Sequence, residues 1–379
     1  MKFRVDRDAF ADAVTWTARA LPARPAVPVL AGMRLEVADT ASDTLRLSGF
    51  DYEVSAQASV DVHAEEAGSV LVPGRLLAEI VRTLPPHPVE FHVEGSRALL
   101  TCGNARFTLL TLPLEDYPTL PAMPRTIGSA PADVFATAVR QVLPSTSRDD
   151  TLPMLTGVHL TFRGDTILLA ATDRYRIAVR EMWWKPEEVD IDTSALVPAR
   201  TLGDFSRSLT GGNVDIALST SDSRGAGEGM IGFEHDGKRT TTRLIDSDFV
   251  SYESRFPTEF AAQADVPVAP LAEAVKRVAL VADRSTPVRL SFTSSEVVLE
   301  AGSGDDAQAL EALEVNFEGE PMRIAFNSQY FLDGLTNVET ERAFLRFVAP
   351  TRPAVITGTP AKEGGKPDFR YLVMPLRLA

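Results

Sequence analysis

In this 379-residue chain the acidic doublets Asp149-Asp150 and Asp305-Asp306 come closest to the paired carboxylates that general acid and base chemistry requires. Adjacent residues in polar stretches ordinarily cap turns or face water, and both doublets are read as turn residues. The phosphate loop G-x-x-x-x-G-K-[ST], the nucleophile elbow G-x-S-x-G and the zinc motif H-E-x-x-H are all missing from the sequence. His87 and His92 are the only histidines close together, and the single cysteine, Cys102, can complete neither a zinc site nor an intramolecular disulfide. No catalytic residue, metal or cofactor is expected, and the chain is read as not an enzyme.

A second chemistry is carried by cations on amphipathic segments, among them Arg19, Arg75, Arg82, Arg140, Arg200, Arg207, Lys276 and Arg277. The chain as a whole is acidic, with 38 basic against 52 acidic residues and a net charge of −14. The helical windows 7–21, 75–84, 132–143, 199–209, 271–284 and 328–338 are nevertheless slightly basic taken together, so the acidity falls on the remainder. Segregation of this kind suits weak, sequence-independent attraction to a phosphate backbone. Charge alone is equally served by arginines that simply solvate exposed helix faces.

The elements that would position these cations are repeated. Val27-Pro28-Val29-Leu30-Ala31-Gly32-Met33-Arg34-Leu35 returns 125 positions later as Leu152-Pro153-Met154-Leu155-Thr156-Gly157-Val158-His159-Leu160. Leu71-Val72-Pro73-Gly74-Arg75-Leu76-Leu77 returns at the same offset as Leu196-Val197-Pro198-Ala199-Arg200-Thr201-Leu202. A third, weaker copy runs through Pro287–Phe292 and Ile324–Leu332, so three units of about 126 residues fill the chain. Each unit opens with a helix, marked by Phe10, Ala13, Val14 and Leu21, by Phe135, Ala138, Val139 and Val142, or by Leu271, Ala274, Val275 and Val278. Alternating strands and a second helix follow, at Arg75–Leu84, Arg200–Leu209 and Gln329–Val338, which is an α+β pattern. The proline-punctuated stretches 117–124 and 256–260 place boundaries near 125 and 262. No apolar run approaches the ~18 residues of a membrane helix, and Met1–Asp6 does not resemble a secretion signal, so a cytoplasmic protein is expected.

The Leu-Pro-x-Leu-x-Gly motif after the first helix, Ala171-Thr172-Asp173-Arg174-Tyr175-Arg176-Ile177-Ala178 and the terminal Tyr371-Leu372-Val373-Met374-Pro375-Leu376-Arg377-Leu378 closely resemble the bacterial DNA polymerase III β subunit, the replicative sliding clamp. The arginine-rich composition and Gly49-Phe50-Asp51-Tyr52-Glu53-Val54 look most like the actinobacterial type. The resemblance implies three clamp domains, 1–125, 126–262 and 263–379, each with two helices and antiparallel sheets, forming half of a six-domain ring. It further implies a head-to-tail homodimer around double-stranded DNA that has no catalytic activity. Such a clamp tethers the polymerase III α subunit, the clamp loader and other clamp-binding-motif proteins of replication and repair.

Site residues follow from the same resemblance. DNA contacts map by motif to Arg24 and Arg200, with Arg75, Arg82 and Arg140 added from helix position. The dimer interface maps to Phe107 and Leu109 against Leu280 and Val281 of the other copy, with Arg75 or Arg106 opposite Asp305, Asp306 or Glu311. The partner-peptide pocket maps to Leu155, Thr172, Arg174, Tyr175, Arg176, Ile177, Val250, Val373, Met374, Pro375, Leu376 and Arg377, an apolar groove rimmed by arginines that suits Leu or Phe anchors with an acidic flank. Where many family members read aromatic-Pro-x-aromatic-Arg, this chain has Phe249-Val250-Ser251-Tyr252-Glu253. That departure opens an alternative expectation, a specialised second clamp whose altered pocket tolerates clamp-binding peptide antibiotics.

Overall fold

A computed structural model of the chain describes residues 1–219, 229–282, 286–302, 307–360 and 365–377. Six helices appear among them: α1 (Arg7–Thr17), α2 (Gly74–Val81), α3 (Ala132–Val142), α4 (Ala199–Ser206), α5 (Val268–Val278) and α6 (Ser328–Thr336). All of the strand pairings are antiparallel.

Local sequence explains the helices. The Asp6 carboxylate accepts from the Asp8 and Ala9 backbone N–H groups at 2.9 and 3.0 Å, satisfying two of the otherwise unpaired donors at the start of α1. The buried stripe of α1 is Phe10, Ala13, Val14, Trp16 and Thr17, and that of α5 is Leu271, Ala272, Ala274, Val275 and Val278, both at helical spacing. Asn327 caps α6 by accepting from the Tyr330 N–H at 3.0 Å. The window 271–284 is shorter as a helix than its pattern predicts, because α5 tightens into a 3-10 turn at Ala279–Val281.

The chain forms two compact units. The first comprises Met1–Phe135, Trp184–Val189 and Arg200–Asp246, and the second Ala136–Trp183, Asp190–Ala199 and Ser247–Ala379. A 13-stranded sheet belongs to the first; a nine-stranded and a four-stranded sheet belong to the second. This grouping cuts across the threefold sequence repeat because strands pair over the repeat borders. Val54–Glu66 of the first repeat pairs with Lys238–Arg243 of the second, with Ala56 opposite Thr240. Arg176–Trp183 of the second repeat pairs with Phe369–Val373 of the third, with Arg176 opposite Val373. Each border pairing satisfies a row of backbone groups that an edge strand would leave open.

Within the second unit, α6 lies close against the strand Phe369–Val373. A Cβ at Gly334 would run into the Tyr371 ring, so the glycine permits this approach. Phe331 and Leu335 complete the buried face of α6.

Candidate functional site

The groove of the second unit is built on a tight turn. The strand Thr166–Thr172 ends at Asp173, whose Oδ1 accepts from the Tyr175 and Arg176 N–H groups at 3.0 and 3.1 Å. Arg174 between them takes a left-handed conformation at φ 81°. The first repeat folds the same way: Asp51 Oδ1 accepts from Glu53 and Val54 N–H at 3.0 and 2.7 Å, with Tyr52 at φ 75°. An aspartate that folds back onto the next two amides is the physical reason for this turn.

The turn delivers Arg176 into the interior, where its side chain is only 9% exposed. Its Nε donates to Asp173 Oδ2 at 2.9 Å, Nη1 donates to Asp333 Oδ2, and Nη2 donates to the Pro144 carbonyl oxygen. Nη1 also reaches Tyr371 Oη at 3.4 Å, Tyr371 Oη donates to the Tyr330 carbonyl at 2.8 Å, and the guanidinium sits 4.2 Å from the Tyr330 ring centroid. Burial opposes its charge, but Tyr371, Asp333 and Asp173 together hold the guanidinium above its ordinary pKa. Burial likewise pushes the Tyr371 phenol well up. Arg176 thus ties the groove to α6. Arg176 lines the groove as expected, but as a buried side chain bonded within the chain rather than as an exposed rim arginine.

The groove above this network encloses about 850 Å³. Its floor is Leu155, Thr172, Ile177, Tyr252 and Leu372, all buried, and Val250, Met374 and Val348 stand at its exposed edges. Ile177, Tyr252 and Leu372 belong to one apolar cluster with Ala170, Val179 and Val355, against which Phe249 and Phe256 pack. Burial, helped by the neighbouring Glu253, raises the Tyr252 phenol. The His159 ring stacks on Phe249 at 4.9 Å, and burial lowers its pKa against the opposing pull of Glu253.

Of the residues assigned to the pocket from sequence, Leu155, Thr172, Arg174, Arg176, Ile177, Val250 and Met374 line this one groove. Tyr175 turns instead into a neighbouring polar depression of about 630 Å³, where it stacks on Tyr330 at 6.1 Å. Val373 is fully buried as a sheet residue, a correction to its place in the pocket. Pro375, Leu376 and Arg377 continue past the groove without lining it, and the Leu376 N–H donates to the Ala325 carbonyl at 2.8 Å. The sequence reading leaves out Leu372, Arg255, Thr258, Glu259, Val348, Thr351, Arg352 and Pro353. Leu372 neighbours Val373 and was one position away; the 348–353 turn reaches the groove only through sheet register, which has no local signature.

The first unit gathers the basic residues. Arg19, Arg75 and Arg82 line a depression between α1 and α2, and Arg19 and Arg200 line a second one beside Trp16, Pro22 and Ala23. Arg19 therefore joins the two. Its Nη1 donates to the Asp204 carbonyl at 2.9 Å, and Arg75 Nη2 donates to the Leu21 carbonyl at 2.7 Å, which hold both stems in place. Arg24 is exposed in the loop that follows. Arg140 lies in the second unit, exposed, 3.9 Å from Glu339.

At the edge of the 13-stranded sheet, the strand Ala105–Leu110 exposes Arg106, Thr108 and Leu110, keeps Phe107 half-buried and turns Leu109 inward at 3% exposure. Leu109 is thus corrected as an interface side chain: the period of a strand puts it in its own core and puts Leu110 outside. In the second unit Leu280 is 84% exposed and Val281 half-buried, three and four residues past Arg277, which bonds Glu311 of the edge strand Ala309–Glu314, where Leu310 is exposed. Glu311 is already held by Arg277 within the chain, at 3.0 and 2.5 Å, which corrects it as an open partner for Arg75 or Arg106. Asp305 and Asp306 lie outside the described residues. Asp149 caps its own turn, accepting from Thr151 N–H and Oγ1 at 3.0 and 2.6 Å, which lowers its pKa.

Three family models match in series: DNA polymerase III beta subunit, N-terminal domain, over residues 1–121, central domain over 129–251, and C-terminal domain over 253–377. Three such domains of α+β build along one chain define a clamp-fold protein. The chain is 54% identical to the beta sliding clamp of Streptomyces coelicolor, with 100% of both chains covered. It is 44% identical to the beta sliding clamp homolog GriR of Streptomyces muensis, over 100% of this chain and 99% of that one. A crystal structure of the Pseudomonas aeruginosa sliding clamp bound to griselimycin superposes with a TM-score of 0.89 at 26% identity, covering 100% of both chains. The chain belongs to the bacterial DNA polymerase III β subunit family, the sliding clamps, and is of the actinobacterial type.

Proposed function

We propose that two copies of this chain, each with domains at 1–125, 126–262 and 263–379, close head to tail around duplex DNA. The ring carries the polymerase III α subunit, the clamp loader and other motif-bearing partners on the groove of the second unit. It holds its partners on DNA by topology, catalyses no reaction itself and works in the cytoplasm. The reading is carried by the continuous set Arg19, Arg75, Arg82 and Arg200 on the helices of a chain whose net charge is −14. Cations on rigid helices attract phosphates without reading bases, and the acidic remainder discourages sticking elsewhere. No helix among the described residues is long and apolar enough to cross a membrane.

Sedimentation combined with retention on nicked circular DNA, after loading by a clamp loader, tests the proposal. A dimer that stays on the circle and leaves once the circle is linearised is expected. A monomer, or equal retention on linear DNA, would refute it.

One observation supports a second reading. Val250 lines the groove edge where the family resemblance expects a proline, and Glu253, in the same segment but not itself lining the groove, stands where it expects an arginine, so the segment gains backbone freedom and loses positive charge. A clamp tolerant of cyclic-peptide inhibitors such as griselimycin would follow. Calorimetry on this chain and on Val250→Pro with Glu253→Arg decides the matter: the restored rim gains inhibitor affinity, or the reading fails.

A further inference from the structure

The groove is lined by four guanidinium groups, Arg174, Arg176, Arg255 and Arg352, and one carboxylate, Glu259. Arg176 is committed to its own buried network. Arg174, Arg255 and Arg352 are exposed and make no ion pair among the described residues. Arg174 sits 6.0 Å from the Tyr175 ring centroid, and all three place positive charge around an apolar floor in a protein that is acidic overall.

Sheet register fixes the separation of Arg174 and Arg352. Arg176 lies opposite Val373, and Val373 lies opposite Ala354 on its other side, so three strand ends stand in a row. Arg174 precedes the first of these strands by two residues and Arg352 precedes the third by two, at the same end of the sheet. Two strand spacings put their backbones roughly 10 Å apart, which an extended peptide rising about 3.3 Å per residue crosses in about three residues. Arg255 reaches the groove from the 3-10 turn Glu253–Arg255, whose N–H donates to the Tyr252 carbonyl at 3.0 Å, and Tyr252 is anchored in the floor cluster.

We infer that Arg255 and Arg352 form an anion subsite that receives an acidic side chain about three residues along the partner peptide from the residue seated beside Arg174. This deepens the peptide-groove reading and rests on it. The apolar floor takes the anchors, and the far pair of arginines selects partners by a carboxylate that the anchors do not supply. Glu259, which lines the same groove, opposes a second carboxylate.

The test uses three peptides, acetylated and amidated so that only side chains carry charge: Gln-Gly-Gly-Leu-Leu-Phe-Gly-Gly-Gln and its two variants with glutamate at one end or the other. Anisotropy titration at low ionic strength on the full chain should show one glutamate placement binding about three- to tenfold more tightly than the neutral peptide. Arg255→Gln with Arg352→Gln should erase that gain, so that all three peptides bind the variant equally, with circular dichroism and thermal unfolding showing that the variant is folded. Arg174→Gln should preserve the gain. Equal binding of all three peptides to the unaltered chain, or a gain that survives in the double variant, would overturn the subsite. So would a double variant that weakens only duplex DNA binding, which would assign these arginines to phosphates. If no peptide binds the unaltered chain, the groove reading itself fails and the subsite falls with it.

Discussion

Substituting Leu110 and Leu109 separately by alanine distinguishes an interface from a core. Leu110 is 68% exposed on the edge strand, Leu280 is 84% exposed, and Leu109 is 3% exposed. Full burial of a leucine contributes about 1.5–3 kcal/mol, so about 1–2 kcal/mol remains to be gained when Leu110 is covered by a second copy. A head-to-tail ring contains that contact twice. Leu110→Ala should therefore weaken closure by about 2–4 kcal/mol, roughly 30- to 1,000-fold in the dimer dissociation constant. Leu280→Ala should act in the same direction. Leu109→Ala should instead open a cavity and cost about 2–5 kcal/mol of stability in the first unit. Sedimentation velocity over a dilution series reads the association, and thermal unfolding at concentrations where each variant is monomeric reads the fold. Dimerisation of Leu110→Ala and Leu280→Ala indistinguishable from that of the unaltered chain would refute the placement. Stable monomers from Leu109→Ala would refute the burial argument behind it.

Arg24→Glu with Arg200→Glu should weaken DNA binding and flatten its salt dependence, each lost phosphate contact removing roughly 0.9 from the slope of log K against log salt; an unchanged slope in a filter-binding series would exclude both residues. Arg176→Met should destabilise the second unit by up to about 3 kcal/mol, because the largely covered carboxylates of Asp173 and Asp333 lose their shared cation while keeping their other donors; a loss below about 1 kcal/mol in denaturant titration would contradict the network. His159 is held below its ordinary pKa by burial, so its contribution is complete above about pH 6.5 and is lost as the pH falls from there through the lower folded value. His159→Gln should flatten that part of the melting-temperature profile, and an unaltered profile would assign the acid sensitivity elsewhere.

The repeat was legible because it is written in short local signals. Pro28 and Pro153 open 3-10 turns at matching positions, and Gly32 and Gly157 each begin the strand that follows. Helical spacing around Phe10 and Leu271 identified the faces that pack inward. The groove was legible at Thr172, Arg174, Arg176, Ile177 and Met374, which lie in short motifs, but not at their neighbours Tyr175 and Val373, which face elsewhere. It was illegible at Arg352 and Val348, which arrive because the strand Arg176–Trp183 pairs with strands near the end of the chain, and at Leu109, where a shift of one residue along a strand exchanges inside for outside.

Arg176 shows why residue type alone misassigns roles. In the sequence, Arg174 and Arg176 are equivalent cations two residues apart. The Asp173 turn separates them by setting Arg174 in the left-handed region at φ 81° and starting the next strand at Arg176, so one points to solvent and the other into the sheet. A buried guanidinium then requires several acceptors, and Asp173, Asp333 and the Pro144 carbonyl supply them from three segments. Those same bonds fix the turn that carries Arg174. Under the proposed groove reading, the arginine bonded within the chain thus positions Arg174 for the ligand, and the ligand's charge is left to Arg174, Arg255 and Arg352.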